Sequence, residues 1–146
     1  MRAMFRNVLV AVDGSSTAAR ALEVAAGLAE ALNSRLTIIS VSPKVPQYAY
    51  RAQIDVKRLE QEVEAETQKL LRDSIASLPE RLPVTTVLKQ GNAGERIVEQ
   101  IEDGGHDLVV LGSRGRRRVT ANLLGSVGAH VHHHARIPLL VIHPEE

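Results

Sequence analysis

The sequence predicts an α/β domain with an open, parallel five-stranded sheet in the order 3-2-1-4-5 and helices on both faces. Three observations carry that expectation. Short apolar runs rich in Val, Ile and Leu recur along the chain, the pattern of strands buried on both faces. Stretches with helical apolar spacing alternate with them. The resulting β-α-β-α-β-α-β-α-β order needs crossovers, and helical crossovers give a parallel sheet. No repeat, linker or low-complexity segment divides the 146 residues, so residues 1–146 read as one domain.

The elements follow in order. Residues 8–12, Val-Leu-Val-Ala-Val, form the first strand. Asp13, Gly14, Ser15 and Ser16 make the turn after it, with Ser15 or Ser16 as the N-cap of the first helix. That helix runs over 18–32, with Ala18, Leu22, Ala25, Ala26, Ala29 and Leu32 on one stripe, and Asn33 and Ser34 close it. Residues 36–41 are the second strand. Residues 42–53 hold two prolines and two tyrosines and read as a loop. A long charged helix spans 55–77, with Leu59, Val63, Leu70, Leu71 and Ile75 as its apolar face and Pro79 and Pro83 beyond its end. The third strand, 84–89, is more polar, as suits a position near an edge. Gly91 to Gly94 lead into a helix carrying Ile97, Val98 and Ile101, which Gly104 and Gly105 end. The fourth strand is 108–111. A long loop rich in Gly and Arg follows, then a helix from about 125 to 135. Pro138 opens the last strand, 139–142.

Composition removes several classes of function. Lys plus Arg number 18 against 17 Asp plus Glu, a net charge of +1, so no global field draws the chain to nucleic acid or membrane. The 2% aromatic content offers no stacking platforms for single strands. The arginine loop could neutralise only a few phosphates, and affinity of that origin collapses with salt. The absence of cysteine excludes disulfides, thiolate catalysis and Cys-based metal sites. No signal peptide and no run of roughly 20 apolar residues is visible. The expectation is a soluble, cytoplasmic protein with no nucleic-acid or membrane partner.

Ligands of open α/β sheets bind beyond the carboxyl ends of the strands, where the strand order reverses. In the order 3-2-1-4-5 that point lies between strands 1 and 4, which end near Asp13 and Gly112. The second of these turns reads Gly112-Ser113-Arg114-Gly115, and Gly125-Ser126 follow after nine more residues. Glycines let backbone amides approach a phosphate closely and adopt left-handed turns. Gly125 and Ser126 open a helix, whose N-terminus offers free amides and a positive dipole end. The Ser126 and Ser113 hydroxyls can add hydrogen bonds, and Arg114 and Arg116–Arg118 add charge that favours a polyphosphate. No P-loop, G-x-G-x-x-G or nucleophile-elbow motif occurs. By spacing alone, two readings stay open: an anion or nucleotide site, or a plain glycine-rich loop with solvated arginines.

The chain resembles the universal stress protein family over essentially its whole length. The resemblance is carried by Val8 to Ser15, by Asp107 to Arg116, by Leu123 to Val127 and by Pro138 to Ile142. The G-x2-G-x9-G-[ST] pattern is complete as Gly112, Gly115, Gly125 and Ser126, and in the family it separates members that bind ATP from those that do not. The resemblance implies a Rossmann-like fold of the adenine nucleotide alpha hydrolase type. It also implies ATP, with Mg2+, as the ligand. Asp13 would contact the ribose near the phosphates or their metal, flanked by Ala11 and Val12. The Val41 backbone would meet the adenine edge. Gly112, Ser113, Arg114 and Gly115 would line ribose and phosphates, and Gly125, Ser126 and Val127 would hold the polyphosphate. The family often has Ser-Gly where this chain has Arg117-Arg118, so those arginines are open to either role, clamping phosphate or facing solvent.

Other candidates are weaker. Asp13 is also a good turn former before Gly14. His130 and His134 share a helix face at i, i+4 spacing that could suit a metal, but histidines in a last helical turn also complement the dipole, and no metal is expected. Catalysis needs a poised base or nucleophile, and phosphoryl transfer needs more parts than Asp13 and the arginine loop supply. The expectation is therefore a nucleotide-dependent regulatory module in the stress response, read by an unidentified protein partner. Its alternatives are a slow ATPase or autophosphorylating phosphotransferase, and a nucleotide-independent interaction protein. The resemblance also implies a homodimer, for which an apolar last strand at a sheet edge would serve.

Overall fold

The first apolar run becomes strand β1, Asn7–Ala11, whose three central residues are fully buried. In the computed structural model, which describes residues 4–113 and 124–145, β1 is the middle strand of the sheet. Gly14, at φ 87°, turns the chain, a left-handed conformation that suits glycine. Ser15 then caps helix α1, Ser16–Leu32, accepting the Ala18 N–H at 3.2 Å. The buried face of α1 is built mostly from alanines, so the helix lies close to the sheet. Leu32 does not extend that stripe. It sits in the last turn, where the chain leaves the helix through the left-handed Asn33, and is 36% exposed.

Strand β2, Arg35–Ser42, pairs with β1 from Asn7↔Arg35 to Ala11↔Ile39. The segment expected to be a loop contains a one-turn helix, α2, Gln47–Arg51, which starts after Pro46 and is anchored by the buried Ala49. Helix α3, Val56–Ala76, is capped by Asp55, which accepts the Arg58 N–H at 3.2 Å. Its buried residues are Thr67, Leu71 and Ser74. The two hydroxyls donate to the carbonyls of Val63 and Leu70, one turn back, at 2.9 and 2.8 Å, so polar side chains can occupy a buried face. Ile75 lies one position off that face and is 42% exposed, contrary to its expected place.

Strand β3, Val84–Gln90, pairs with β2 along its length and is an edge strand, as its polarity indicates. Asn92 caps helix α4, Ala93–Gly104, and Gly105 at φ 64° ends it. Strand β4, Leu108–Gly112, lies beside β1. Helix α5, Ser126–His134, leads to strand β5, Leu139–Ile142, the other edge. All pairings are parallel and the order is β3-β2-β1-β4-β5. Period-two alternation divides the core between the sheet's two faces. Val8, Val10, Ile38 and Val110 pack with α1 and α3, while Leu9, Ile39, Val109 and Leu111 pack with α4 and α5. Burying both faces of β1 and β4 leaves the strands' carboxyl ends as the polar rim.

Candidate functional site

The strand order reverses between β1 and β4, as expected, which brings Ala11, Val12 and Asp13 beside Gly112 and Ser113. Ala11 is half-buried on the α4–α5 face, and Val12 is buried on the α1–α3 face. Asp13 Oδ1 accepts the Ser15 N–H at 2.9 Å, which closes an Asx turn around Gly14. The turn-forming role of Asp13 is therefore real. It also holds a half-buried carboxylate at the mouth of the crevice, where it can serve a ligand's hydroxyls or cation.

Val41 acquires its position from the register. Val12 N–H donates to Ile39 C=O at 2.9 Å, so Ile39 directs its backbone polar groups toward β1. Gly91 N–H donates to Ser42 C=O at 2.9 Å, so Ser42 directs its own toward β3. Alternation then points the Val41 N–H and C=O to the β1 side. The β1–β2 register ends at Ala11↔Ile39 and the chain turns away at Asp13. Among the described residues the ladder supplies neither group with a partner, and both face the crevice.

Gly112 and Gly125 both sit in close packing. Neither has a left-handed φ, so the expected left-handed turns are absent at these positions. A Cβ on Gly112 would lie 3.0 Å from Thr17 Cγ2 and 3.1 Å from the Thr17 backbone carbon. The glycine lets the first turn of α1 press against the end of β4. A Cβ on Gly125 would meet the Ser113 carbonyl at 3.2 Å. Ser113 is 3% exposed, and its backbone is bonded on both sides. Its N–H donates to Ile142 C=O at 2.8 Å, and its C=O accepts the Gly125 N–H at 2.9 Å. This clasp joins β4, β5 and the start of α5. It fixes the Ser113 backbone at the carboxyl end of β4.

Gly125 is the N-cap of α5 and supplies no side-chain cap. The amides of Ser126, Val127 and Gly128 thus open the helix without the usual side-chain acceptor, and the Ser126 side chain is exposed beside them. Such an end is suited to an anion. Arg114 and Gly115, together with Arg116–Arg118, lie outside the described residues. Two residues that sequence reasoning missed support the site. Ser40, buried, donates to Val12 C=O at 2.9 Å, and Thr17 sets the approach of α1 to Gly112. Neither carries a motif, and only the register and packing reveal them.

The remaining candidates lie elsewhere. The His130 and His134 rings stack at 4.1 Å, and His134 Nδ1 lies 2.9 Å from the His130 carbonyl. His130 packs on Gly94 of α4, where a Cβ would come within 2.9 Å of its ring. Among the described residues, no group of three or more His, Asp or Glu could hold a metal ion. His106 is buried between α4 and β4, its Nε2 3.1 Å from Gln100 Nε2. Burial pushes its pKa below the usual histidine range, opposed by the Asn7 backbone and the Asp107 charge. It stands at the amino end of β4, away from the crevice.

The model of the universal stress protein family matches residues 4–143. The chain belongs to the universal stress protein family. A relative from Thermus aquaticus, encoded in the 3' region of the QAH/OAS sulfhydrylase, is 31% identical over 95% of this chain and 99% of its own length. Universal stress protein UspA from Lactobacillus plantarum shares the fold with a TM-score of 0.82 at 23% identity, over 97% of this chain and 99% of its own. A family protein from Arabidopsis thaliana with AMP bound also shares it, with a TM-score of 0.71 at 21% identity over 96% and 92% of the two chains. So does a universal stress protein in complex with cAMP, with a TM-score of 0.63 at 24% identity, over 96% of this chain and 98% of its own. Among the described residues no helix is long and apolar enough to cross a membrane.

Proposed function

We propose that this universal stress protein binds ATP, with Mg2+, in the crevice beyond β1, β2 and β4, and that the bound state is a regulatory signal. The observation that carries the reading is the Val41 backbone. It presents an N–H donor beside a C=O acceptor to the crevice, and adenine offers the complementary acceptor N1 and donor N6. The uncapped start of α5 supports a triphosphate at the other end of the crevice. The Asp13 carboxylate fits a metal-bridged phosphate or a ribose hydroxyl. That distant relatives of the same fold carry AMP and cAMP supports the class of ligand.

The described crevice has the chemistry of a holder. Its contributions are backbone amides, one carboxylate and an exposed serine, with no poised base beside them. The ligand would therefore act by stabilising one conformation or a homodimer, paired through β5 in the cytoplasm and read by a protein partner. The test is to denature the purified protein and identify any released nucleotide by mass spectrometry, followed by calorimetric titration with ATP and Mg2+. Release or saturable binding of ATP is the expected result. No binding up to millimolar concentration would remove the proposal in favour of a nucleotide-independent interaction protein, and steady phosphate release would convert it to a slow ATPase.

A further inference from the structure

We propose that Ser40 is a positioning residue that keeps the Val41 N–H available to an adenine base, by taking the Val12 carbonyl that would otherwise draw that N–H into the sheet. The ligand half of this inference rests on the nucleotide reading of the crevice. The geometric half rests on hydrogen bonds alone. The last β1–β2 rung runs from Val12 N–H to Ile39 C=O, at 2.9 Å. In a regular parallel ladder the next rung would run from Val41 N–H to Val12 C=O. That rung is missing. The Val12 C=O accepts the Ser40 hydroxyl instead, at 2.9 Å.

Burial makes the substitution of partners consequential. Ser40 and Val12 are each 4% exposed, so the hydroxyl and the carbonyl cannot fall back on water. A serine in the apolar run Ile38-Ile39-Ser40-Val41 is costly to bury unless its hydroxyl is satisfied. The next serine along the strand does different work, with Ser42 Oγ at 3.4 Å from the Lys89 carbonyl on the β3 side. Removing the Ser40 hydroxyl would leave the Val12 C=O unpaired in the interior. The nearest donor in register is the Val41 N–H. Closing that rung would extend the ladder by one step and remove the donor half of the adenine-reading pair. Hypoxanthine separates this effect from general loss of binding, because it carries a protonated N1 and an O6 acceptor and gains nothing from the Val41 N–H at N1.

Two measurements test the inference on the full chain. In the ligand-free protein, amide hydrogen exchange by NMR should find the Val41 N–H fast in the wild type and slowed about tenfold or more in Ser40→Ala. Calorimetric titration with ATP and ITP, each with Mg2+, should show ATP affinity falling about tenfold in Ser40→Ala while ITP affinity stays within about twofold. Ser40→Cys keeps the shape, weakens the donor, and should move both readouts in the same direction if Ser40→Ala fails to fold. Unchanged Val41 exchange, or an unchanged ATP-to-ITP ratio, would overturn the inference. A wild type that binds neither nucleotide would overturn the nucleotide reading and the ligand half with it, leaving the hold of Ser40 over Val41 to be decided by exchange.

Discussion

His106 ties stability to pH through one buried ring. Burial holds its folded-state pKa below the ordinary value, which in the unfolded chain is about 6.5. Between those two values the unfolded state binds more protons, so stability rises with pH across that window. The contribution is fully present above about pH 6.5 and is lost as pH falls toward the folded-state value. Urea denaturation from about pH 7.5 down to about pH 5.5 should show declining stability, and His106→Gln should flatten part of that decline. An identical slope in the variant would refute the assignment. Gly112 is a second residue whose role is steric. With Thr17 atoms at 3.0 and 3.1 Å from the position of an added Cβ, Gly112→Ala should cost about 1–3 kcal/mol, measurable as a lower urea midpoint with no nucleotide present. A variant as stable as the wild type would show that α1 can yield there. Loss of ligand binding on replacing Gly112 is therefore ambiguous unless stability is measured too.

At the scale of elements, the two edges of the sheet differ. The β3 edge is guarded by exposed threonines and a half-buried lysine, whereas β5 is four apolar residues, all half-buried. Pro138 and Ile142 direct their carbonyls to Val109 and Ser113 of the β4 side, so Leu139 and Val141 direct their backbone groups outward. Val141→Pro thus removes an outward N–H while sparing the β4 ladder, a placement proline tolerates at an edge. If β5 pairs with its copy, sedimentation should show a dimer in the wild type and a monomer in Val141→Pro, with unchanged circular dichroism. A persistent dimer would place the interface elsewhere. The sheet order and its reversal were legible in the sequence because strands buried on both faces read as unbroken apolar runs. Helix α2 was not legible, since five residues following Pro46 are too few for a period to emerge. Ile75 and Leu32 misled because helix ends and polar residues that satisfy themselves, such as Thr67 and Ser74, shift a buried face. The site was legible as a pair of turns. The Ser40 bond and the Ser113 clasp were not, because both depend on which strand lies opposite.

Across the whole molecule, the crevice joins elements far apart in sequence. The turn after β1, the end of β2, the end of β4 and the start of α5 all border it, and the Ser113 clasp links the last two to β5. A ligand spanning these elements binds the folded state alone, so its affinity should appear as stability. At a hundredfold excess over Kd the gain is about 2.7 kcal/mol, which for a chain of this size raises Tm by roughly 5–10 °C. ATP with Mg2+ should produce that shift, and ITP a smaller one if the Val41 edge reads the base. Because β5 is coupled through Ser113 to the helix that would hold the phosphates, the shift should be larger at protein concentrations where dimer predominates. The β5-edge variant Val141→Pro should keep the ligand-induced shift and lose its dependence on protein concentration. Should the shift vanish in that variant, the crevice would be incomplete in one chain, and the nucleotide would report on assembly as well as on folding.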